Sequence, residues 1–247
     1  MDKGKKTVFL DRDGVINVQA APHDYIRNWS QFYFLPHVEE SVKRLNDHGF
    51  QVIIVTNQRG VARGLMTLAD VEDIHSHMQE CLKRNGAHVD GIYICPHEEG
   101  TCHCRKPDIG LFLQAERDFS VDKSWSYMVG DSESDIIAGK RCGIKTIAVN
   151  KELLGADFRC ESLKEAANKI LEEEQPNYLT VAFDVSQPTF RHKMYAEYKG
   201  TRKPMAEELR EQVPLMKEML KAMGVTIVEK GGYEADDILG TIAKRSE

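Results

Sequence analysis

Val8-Phe9-Leu10-Asp11-Arg12-Asp13-Gly14-Val15-Ile16-Asn17 is an apolar, β-prone run that delivers two carboxylates, one residue apart, onto a glycine turn. A strand buried on both faces reads as a continuous apolar run, and ligands of open parallel sheets collect at the carboxyl ends of the strands. Alternation along an extended chain puts Asp11 and Asp13 on one face there. That arrangement suits a nucleophile and its acid/base partner. Taken alone, the pair reads equally well as a solvated turn.

Three later strand ends move the balance. Gln51-Val52-Ile53-Ile54-Val55 is a second buried-strand run and ends in Thr56-Asn57-Gln58, a hydroxyl and two amides suited to phosphate oxygens. Arg105-Lys106-Pro107 supplies cations, and Tyr127-Met128-Val129-Gly130 runs into Asp131-Ser132-Glu133-Ser134-Asp135. Asp-x-Asp, Thr, Lys and Asp, in that order at strand ends, are what metal-assisted phosphoryl transfer requires. A phosphate monoester is a dianion, so an attacking carboxylate needs a divalent cation to cancel repulsion and orient in-line attack. Asp11 then reads as nucleophile and Asp13 as the acid that protonates the leaving alkoxide and later activates water. Thr56 and Lys106 read as neutralising the equatorial oxygens. The magnesium ligands are expected among Asp11, Asp13 and Asp131, hard oxygen donors, with Asp135 orienting the metal shell or Lys106.

These four segments resemble, in order, the four motifs of the haloacid dehalogenase-like phosphatases, over residues 5 to 170. The resemblance implies an α/β fold with a doubly wound parallel sheet and a magnesium-dependent mechanism through an aspartyl-phosphate. Spacing bears on access to the site. About 42 residues separate Asp13 from Thr56 and about 49 separate Thr56 from Lys106, room for crossover helices but not for a folded cap. Selectivity is then left to small loops: Gln19 to Asn28, with Tyr25 as a candidate pocket wall, Arg59 to Leu65, and the loop before Arg105.

That last loop carries Cys95-Pro96-His97 and, four residues on, Cys102-His103-Cys104. Cys95, His97, Cys102 and Cys104 can close a tetrahedron around one zinc, and four protein ligands leave no open position, so the zinc is expected to be structural. A disulfide reading is the weaker alternative, since no apolar signal core follows the first lysines. Together with Asn57-Gln58-Arg59-Gly60-Val61-Ala62-Arg63-Gly64, the loop resembles the D-glycero-D-manno-heptose 1,7-bisphosphate 7-phosphatases and the related histidinol-phosphate phosphatases. The Asn-Gln-x-Gly-x-x-Arg-Gly segment favours the heptose enzymes; the short gap between His97 and Cys102 is closer to the histidinol-phosphate type. Asn57, Gln58, Arg63 and Arg105 are the candidate substrate contacts, the two arginines for a second, anomeric phosphate. The helices expected from Pro36 to Leu45 and from Leu68 to Leu82, the latter capped by Thr67, are scaffold, and His75 and His77 read as non-ligands.

Beyond residue 172 the pattern breaks. A strand from Asn177 to Asp184, a basic and aromatic stretch from Thr189 to Lys203, a helix from Met205 to Met223, a strand from Val225 to Val228, and Glu234-Ala235-Asp236-Asp237 follow. The acids suit magnesium and the basic stretch suits a phosphate backbone. These residues resemble an internal slice of the 5′-nuclease domain of bacterial DNA polymerase I. The resemblance implies that acids needed for two-metal chemistry lie outside the slice, leaving weak DNA contact through residues 190 to 203 as its expected activity. Two domains are thus expected, a zinc-containing phosphatase over 1–171 and a partial α/β nuclease-like segment over 172–247, joined inside the helix-prone stretch Leu163 to Glu174. A DNA-binding fragment on a phosphatase-like scaffold is the alternative function. A formal charge of −6 over 247 residues argues against nucleic acid as the main partner, and the absence of a membrane-length apolar run predicts a cytoplasmic enzyme acting on a small phosphorylated metabolite.

Overall fold

The computed structural model describes residues 4–22, 24–173, 179–185, 187–195, 197–198 and 206–246. The chain divides into two compact units, Met1–Glu174 and Gln175–Glu247.

The first unit is a six-stranded sheet: β1 (Thr7–Leu10), β2 (Gln51–Asn57), β3 (Gly91–Cys95), β4 (Tyr127–Gly130), β5 (Lys145–Val149) and β6 (Phe158–Cys160), in the order β3-β2-β1-β4-β5-β6. Every pairing is parallel; Leu10 lies beside Ile54 on one flank and Val129 on the other. The helices are α1 (Val38–Asp47), α2 (Leu68–Arg84), α3 (Gly110–Asp118), α4 (Glu133–Cys142) and α5 (Leu163–Glu173). Successive strand residues point to opposite faces, and the core divides accordingly. Val8, Leu10, Val52 and Ile54 pack with Val42 and Leu45 of α1, Ile74 and Met78 of α2, and Ala166 and Ile170 of α5. Phe9, Ile53, Val55 and Met128 pack with Leu111 and Phe112 of α3 and Ala138 of α4. The sheet is therefore wound on both faces, and β1 sits where the strand order turns back, so Asp11 leaves the sheet at its topological switch point.

Local signals set the helix ends. Thr67 accepts from the Asp70 amide at 3.2 Å while the Asp70 carboxylate accepts from the Thr67 amide at 2.7 Å, a capping box that starts α2. α4 ends on Gly143 in the left-handed conformation. Only α2 lies between β2 and β3, so no folded cap interrupts the chain there.

In the second unit, β7 (Thr180–Ala182) and β8 (Thr226–Val228) form a two-stranded parallel ladder with Val181 beside Ile227. α6 (Phe190–Met194), α7 (Glu207–Ala222) and α8 (Ala235–Ser246) accompany it. Both strands are shorter than the sequence led us to expect. Of the expected features, Asn177, Tyr178, Lys199, Arg202, Lys203 and Met205 lie outside the described residues. No helix of the described residues is long and apolar enough to cross a membrane.

Candidate functional site

The ends of β1, β2 and β4 and the loop before α3 bring the expected residues together. Lys106 is almost fully buried; its Nζ lies 2.9 Å from Asp11 Oδ1 and 2.5 Å from Asp135 Oδ1, and donates to the Val55 carbonyl at 2.7 Å. Asn57 holds the main chain there, its amide donating to the Lys106 carbonyl and its Oδ1 accepting from the Lys106 amide, each at 3.1 Å. The sequence suggested Asn57 as a substrate contact; in the structure its amide brackets the lysine.

Asp11, Asp131 and Asp135 bring oxygens within 4.8 Å of one another. This is a hard-oxygen donor set of the kind magnesium takes. Glycine permits the close approach twice. A Cβ on Gly14, whose φ is +86°, would sit 2.3 Å from Asp131 Oδ2, and one on Gly130 would sit 2.2 Å from Asp135 Cβ. Burial, helped by Asp135 and Asp13 and opposed by Lys106, pushes Asp11 up to about 7, while burial lifts Asp131 against the pull of Lys151. Burial works against the Lys106 charge, but Asp11 and Asp135 outweigh it and raise the ammonium above its ordinary value. Asp131 also accepts from Gln19 Nε2 at 2.6 Å.

Asp13 lies elsewhere than the magnesium reading placed it. Its carboxylate accepts from Arg12 at 2.9 and 3.0 Å, from Asn17 at 2.9 Å and from Gln58 at 2.9 Å, and is not in the acidic trio. Burial would raise it, but the Arg12 guanidinium and these donors hold it below the usual carboxylate range. Gln58 also donates to Thr56 Oγ1 at 2.8 Å, so Thr56, Gln58 and Asp13 form one network.

Arg12 was missed in the sequence. It is fully buried and also lies 3.2 Å from His75 Nε2 of α2. A guanidinium has no acceptor, so Nε2 accepts and the imidazole is neutral with its proton on Nδ1. Burial, reinforced by Arg12, depresses His75 to about 3. Asp135 carried a legible signal that went unread: Ser132-Glu133-Ser134-Asp135 is a capping box. Its Oδ2 accepts from the Ser132 amide at 3.1 Å and hydroxyl at 2.6 Å, leaving Oδ1 for Lys106.

A cavity of about 270 Å³ opens beside Asp13, lined by Gln19, Tyr25, Ile26, Asn57 and Gln58 among others. Of the loops from which selectivity was expected, Gln19 to Asn28 lines it.

Residues 6–179 match the family described as polynucleotide kinase 3 phosphatase. A D-glycero-beta-D-manno-heptose-1,7-bisphosphate 7-phosphatase of Pasteurella multocida is 38% identical over 175 residues, covering 68% of this chain and 92% of the relative. The same-named protein of Haemophilus ducreyi is 41% identical over 151 residues, 58% of this chain and 81% of the relative. The crystal structure of D,D-heptose 1,7-bisphosphate phosphatase from B. bronchiseptica, complexed with magnesium and phosphate, superposes with a TM-score of 0.63 at 32% identity, covering 68% of this chain and 99% of that one. The chain belongs to the haloacid dehalogenase-like heptose-bisphosphate phosphatase family. Residues 159–247 match a second family, the 5'-3' exonuclease N-terminal resolvase-like domain, so both patterns run through α5.

Within the family framework, the cysteine loop leaves β3 at Cys95. Cys95 Sγ lies 3.6 Å from Cys102 Sγ and 3.3 Å from Cys104 Sγ; Cys104 Sγ is 3.3 Å from Cys102 Sγ and 3.2 Å from His97 Nδ1. A regular tetrahedron with zinc–sulfur bonds of about 2.3 Å has edges of about 3.8 Å, so this donor set fits a single zinc with slight expansion. All the cysteines are free thiols. Arg63 pairs with Glu98 of this loop at 3.7 Å, and Arg105 keeps a buried Nη1 without a hydrogen-bond partner.

In the second unit the expected magnesium cluster does not assemble. Arg191 donates from Nη1 and Nη2 to the two oxygens of Asp237 at 2.7 and 2.6 Å, and its Nη1 lies 3.5 Å from Glu234. Glu234 accepts from Tyr198 Oη at 3.2 Å and Asp184 from the Ala235 amide at 2.7 Å. The basic stretch and the acids thus answer each other within the unit. Among the described residues, three or more metal-ligating side chains converge only at the acidic trio and the cysteine loop, both in the first unit.

Proposed function

We propose that this protein is a magnesium-dependent phosphatase of small sugar phosphates, removing the 7-phosphate of D-glycero-D-manno-heptose 1,7-bisphosphate. The observation that carries the reading is the buried Lys106 joining Asp11 and Asp135 beside Asp131, at the strand ends of a chain 38% identical to the Pasteurella multocida heptose-bisphosphate phosphatase.

Asp11 is the nucleophile, forming the aspartyl-phosphate that water then hydrolyses. Arg12, Asn17 and Gln58 hold Asp13 as the carboxylate, so the proton it passes to the departing alkoxide is one it takes up from solvent before transfer, and as the carboxylate it then takes one from the attacking water. Lys106 and Thr56 offset charge on the transferring group's oxygens. Magnesium, held by Asp11 and Asp131 with Asp135 behind them, supplies the positive charge that lets two anions meet. Zinc on Cys95, His97, Cys102 and Cys104 is structural and steadies the chain immediately before Arg105 and Lys106. Arg63 and Arg105 are the candidate contacts to the second phosphate. Residues 1–171 form the phosphatase domain and 172–247 a nuclease-like segment in which, among the described residues, no cluster of metal-ligating side chains converges.

The test is magnesium-dependent phosphate release from heptose 1,7-bisphosphate and from histidinol phosphate, side by side, with Asp11→Asn as the blank. Preference for the bisphosphate, lost in the variant, is the expected result. Preference for histidinol phosphate would reassign the substrate to the short cysteine loop, and equal release by Asp11→Asn would end the mechanism.

A further inference from the structure

The short segment that carries Lys106 is gripped from more than one element. Asn57 of β2 brackets the lysine's main chain on one side. The cysteine loop closes on the start of α3, where the Gly110 amide donates to the His103 carbonyl at 3.2 Å and a Cβ on Gly110 would sit 2.4 Å from that oxygen. Directly after the lysine the chain turns, the Asp108 amide donating to the Arg105 carbonyl at 2.8 Å. The remaining grip comes from α4. Its first turn supplies Asp135, whose Oδ1 meets the Lys106 ammonium. Its last turn supplies Arg141, whose Nη1 donates to the Pro107 carbonyl at 3.0 Å and to Asp108 Oδ1 at 3.1 Å.

Nothing in the proposed chemistry uses Arg141, yet through it α4 holds the lysine segment twice, once at the side chain and once at the main chain that follows. Six residues separate Asp135 from Arg141, about 9 Å along a helix axis. The helix between them lies tight on the sheet: Ala138 is fully buried, and a Cβ on Gly139 would sit 2.6 Å from the Thr146 methyl. A lysine ammonium rides on a flexible four-carbon stem, so contacts at its tip do not by themselves fix its base. A rigid helix that holds both does. Arg141 is 53% exposed and Asp108 46%, so their ion pair is weak, and the weight falls on the charge-assisted bond to the Pro107 carbonyl.

We propose that Arg141 is a positioning residue for Lys106: together with Asp135 it makes α4 a splint across residues 106 to 108 and so sets where the ammonium meets the transferring phosphoryl group. The proposal rests on the phosphatase reading and adds to it a residue that acts only through the lysine.

The experiment is a double-mutant cycle on magnesium- and zinc-loaded full-length protein, with heptose 1,7-bisphosphate as substrate. Arg141→Gln is expected to lower kcat about fivefold with KM unchanged within twofold, the scale of one half-exposed charged hydrogen bond, and Arg141→Lys to return kcat to within twofold of wild type. In the Lys106→Met background the same Arg141→Gln change should cost less than twofold, because nothing is left to position. Equal losses in both backgrounds, or no loss in either, overturn the proposal. Amide exchange supplies a readout that needs no turnover: the Lys106 and Asp108 amides should exchange about fivefold faster in Arg141→Gln, and unchanged exchange at both overturns the proposal whatever the substrate. Failure of the phosphatase reading would show separately, as absence of phosphate release by the unsubstituted protein.

Discussion

Each of the two units sets a buried or half-buried cation among carboxylates, and the outcomes differ. In the first, three carboxylates face Lys106, and only Asp11 and Asp135 reach it, so Asp131 is left to a neutral amide at 2.6 Å and a half-exposed Lys151 at 3.6 Å. In the second, Arg191 closes on Asp237 oxygen for oxygen and lies 3.5 Å from Glu234, whose carboxylate also takes the Tyr198 hydroxyl. A surplus of converging negative charge, not the presence of acids, makes a place for a divalent cation. The same contrast runs through the cores. Strands of the first unit are covered on both faces, whereas α7 leaves Leu209, Leu215, Met216 and Met219 exposed.

The comparison breaks first at the two cations. Lys106→Met is expected to cut phosphate release by about a thousandfold, the order seen when a preorganised charge donor is removed. Arg191→Met in the same assay should leave turnover within twofold; a large loss there would show that the second unit contributes to the reaction. Next comes stability. Arg12→Met removes the charged partner of Asp13, which is 27% exposed and keeps Asn17 and Gln58 as donors, so the first unit should lose about 1–3 kcal/mol in denaturant titration, the cost of leaving hydrogen-bonding groups unpaired. No measurable loss would mean that the remaining donors and water replace the guanidinium.

Protons sharpen the contrast further. Asp11 is pushed up to about 7, so below that pH magnesium must displace a proton from it. Apparent magnesium affinity should therefore rise toward pH 7 and level off above it, measured by calorimetry from pH 5 to 8. A flat profile would contradict the role of Asp11 as a ligand. The smallest effect belongs to His75. Its folded value of about 3 lies under the ordinary 6.5, so between those limits the unfolded chain binds a proton that the folded chain refuses. Stability contributed there is present above about 6.5 and drains away as pH falls toward 3. Asp11 titrates with the opposite sign over part of this range, so the comparison of wild type with His75→Gln belongs in saturating magnesium. The variant should show the shallower acid slope of Tm.

Much of this was legible in the chain because parallel strands and their ends have simple signatures. Val8 to Leu10 and Gln51 to Val55 read as buried strands, and the motifs at their ends mark one edge of the sheet. What stayed hidden depends on partners distant in sequence. Arg12 drew no reading in the sequence, because the groups that enclose it, His75 and Gln58, lie 63 and 46 residues away. Asn57 looks like a ligand for substrate and is held by Lys106, 49 residues on. The acids at Glu234 to Asp237 read as a metal cluster because the arginine that answers them lies 46 residues upstream of Asp237. The exception is Asp135, whose Ser-x-x-Asp spacing was local and legible.

That aspartate ties two events into one. Its oxygens are divided between the first turn of α4 and the ammonium of Lys106. A chain in which this helix has frayed by a turn keeps Asp11 and the Val55 carbonyl on its lysine but loses the third contact that aims it, so half-folded copies are impaired copies. Turnover becomes a report on local order: warming or mild denaturant should lower activity at the point where the amides of Ser132 to Ile136 begin to exchange with solvent, before the sheet itself gives way.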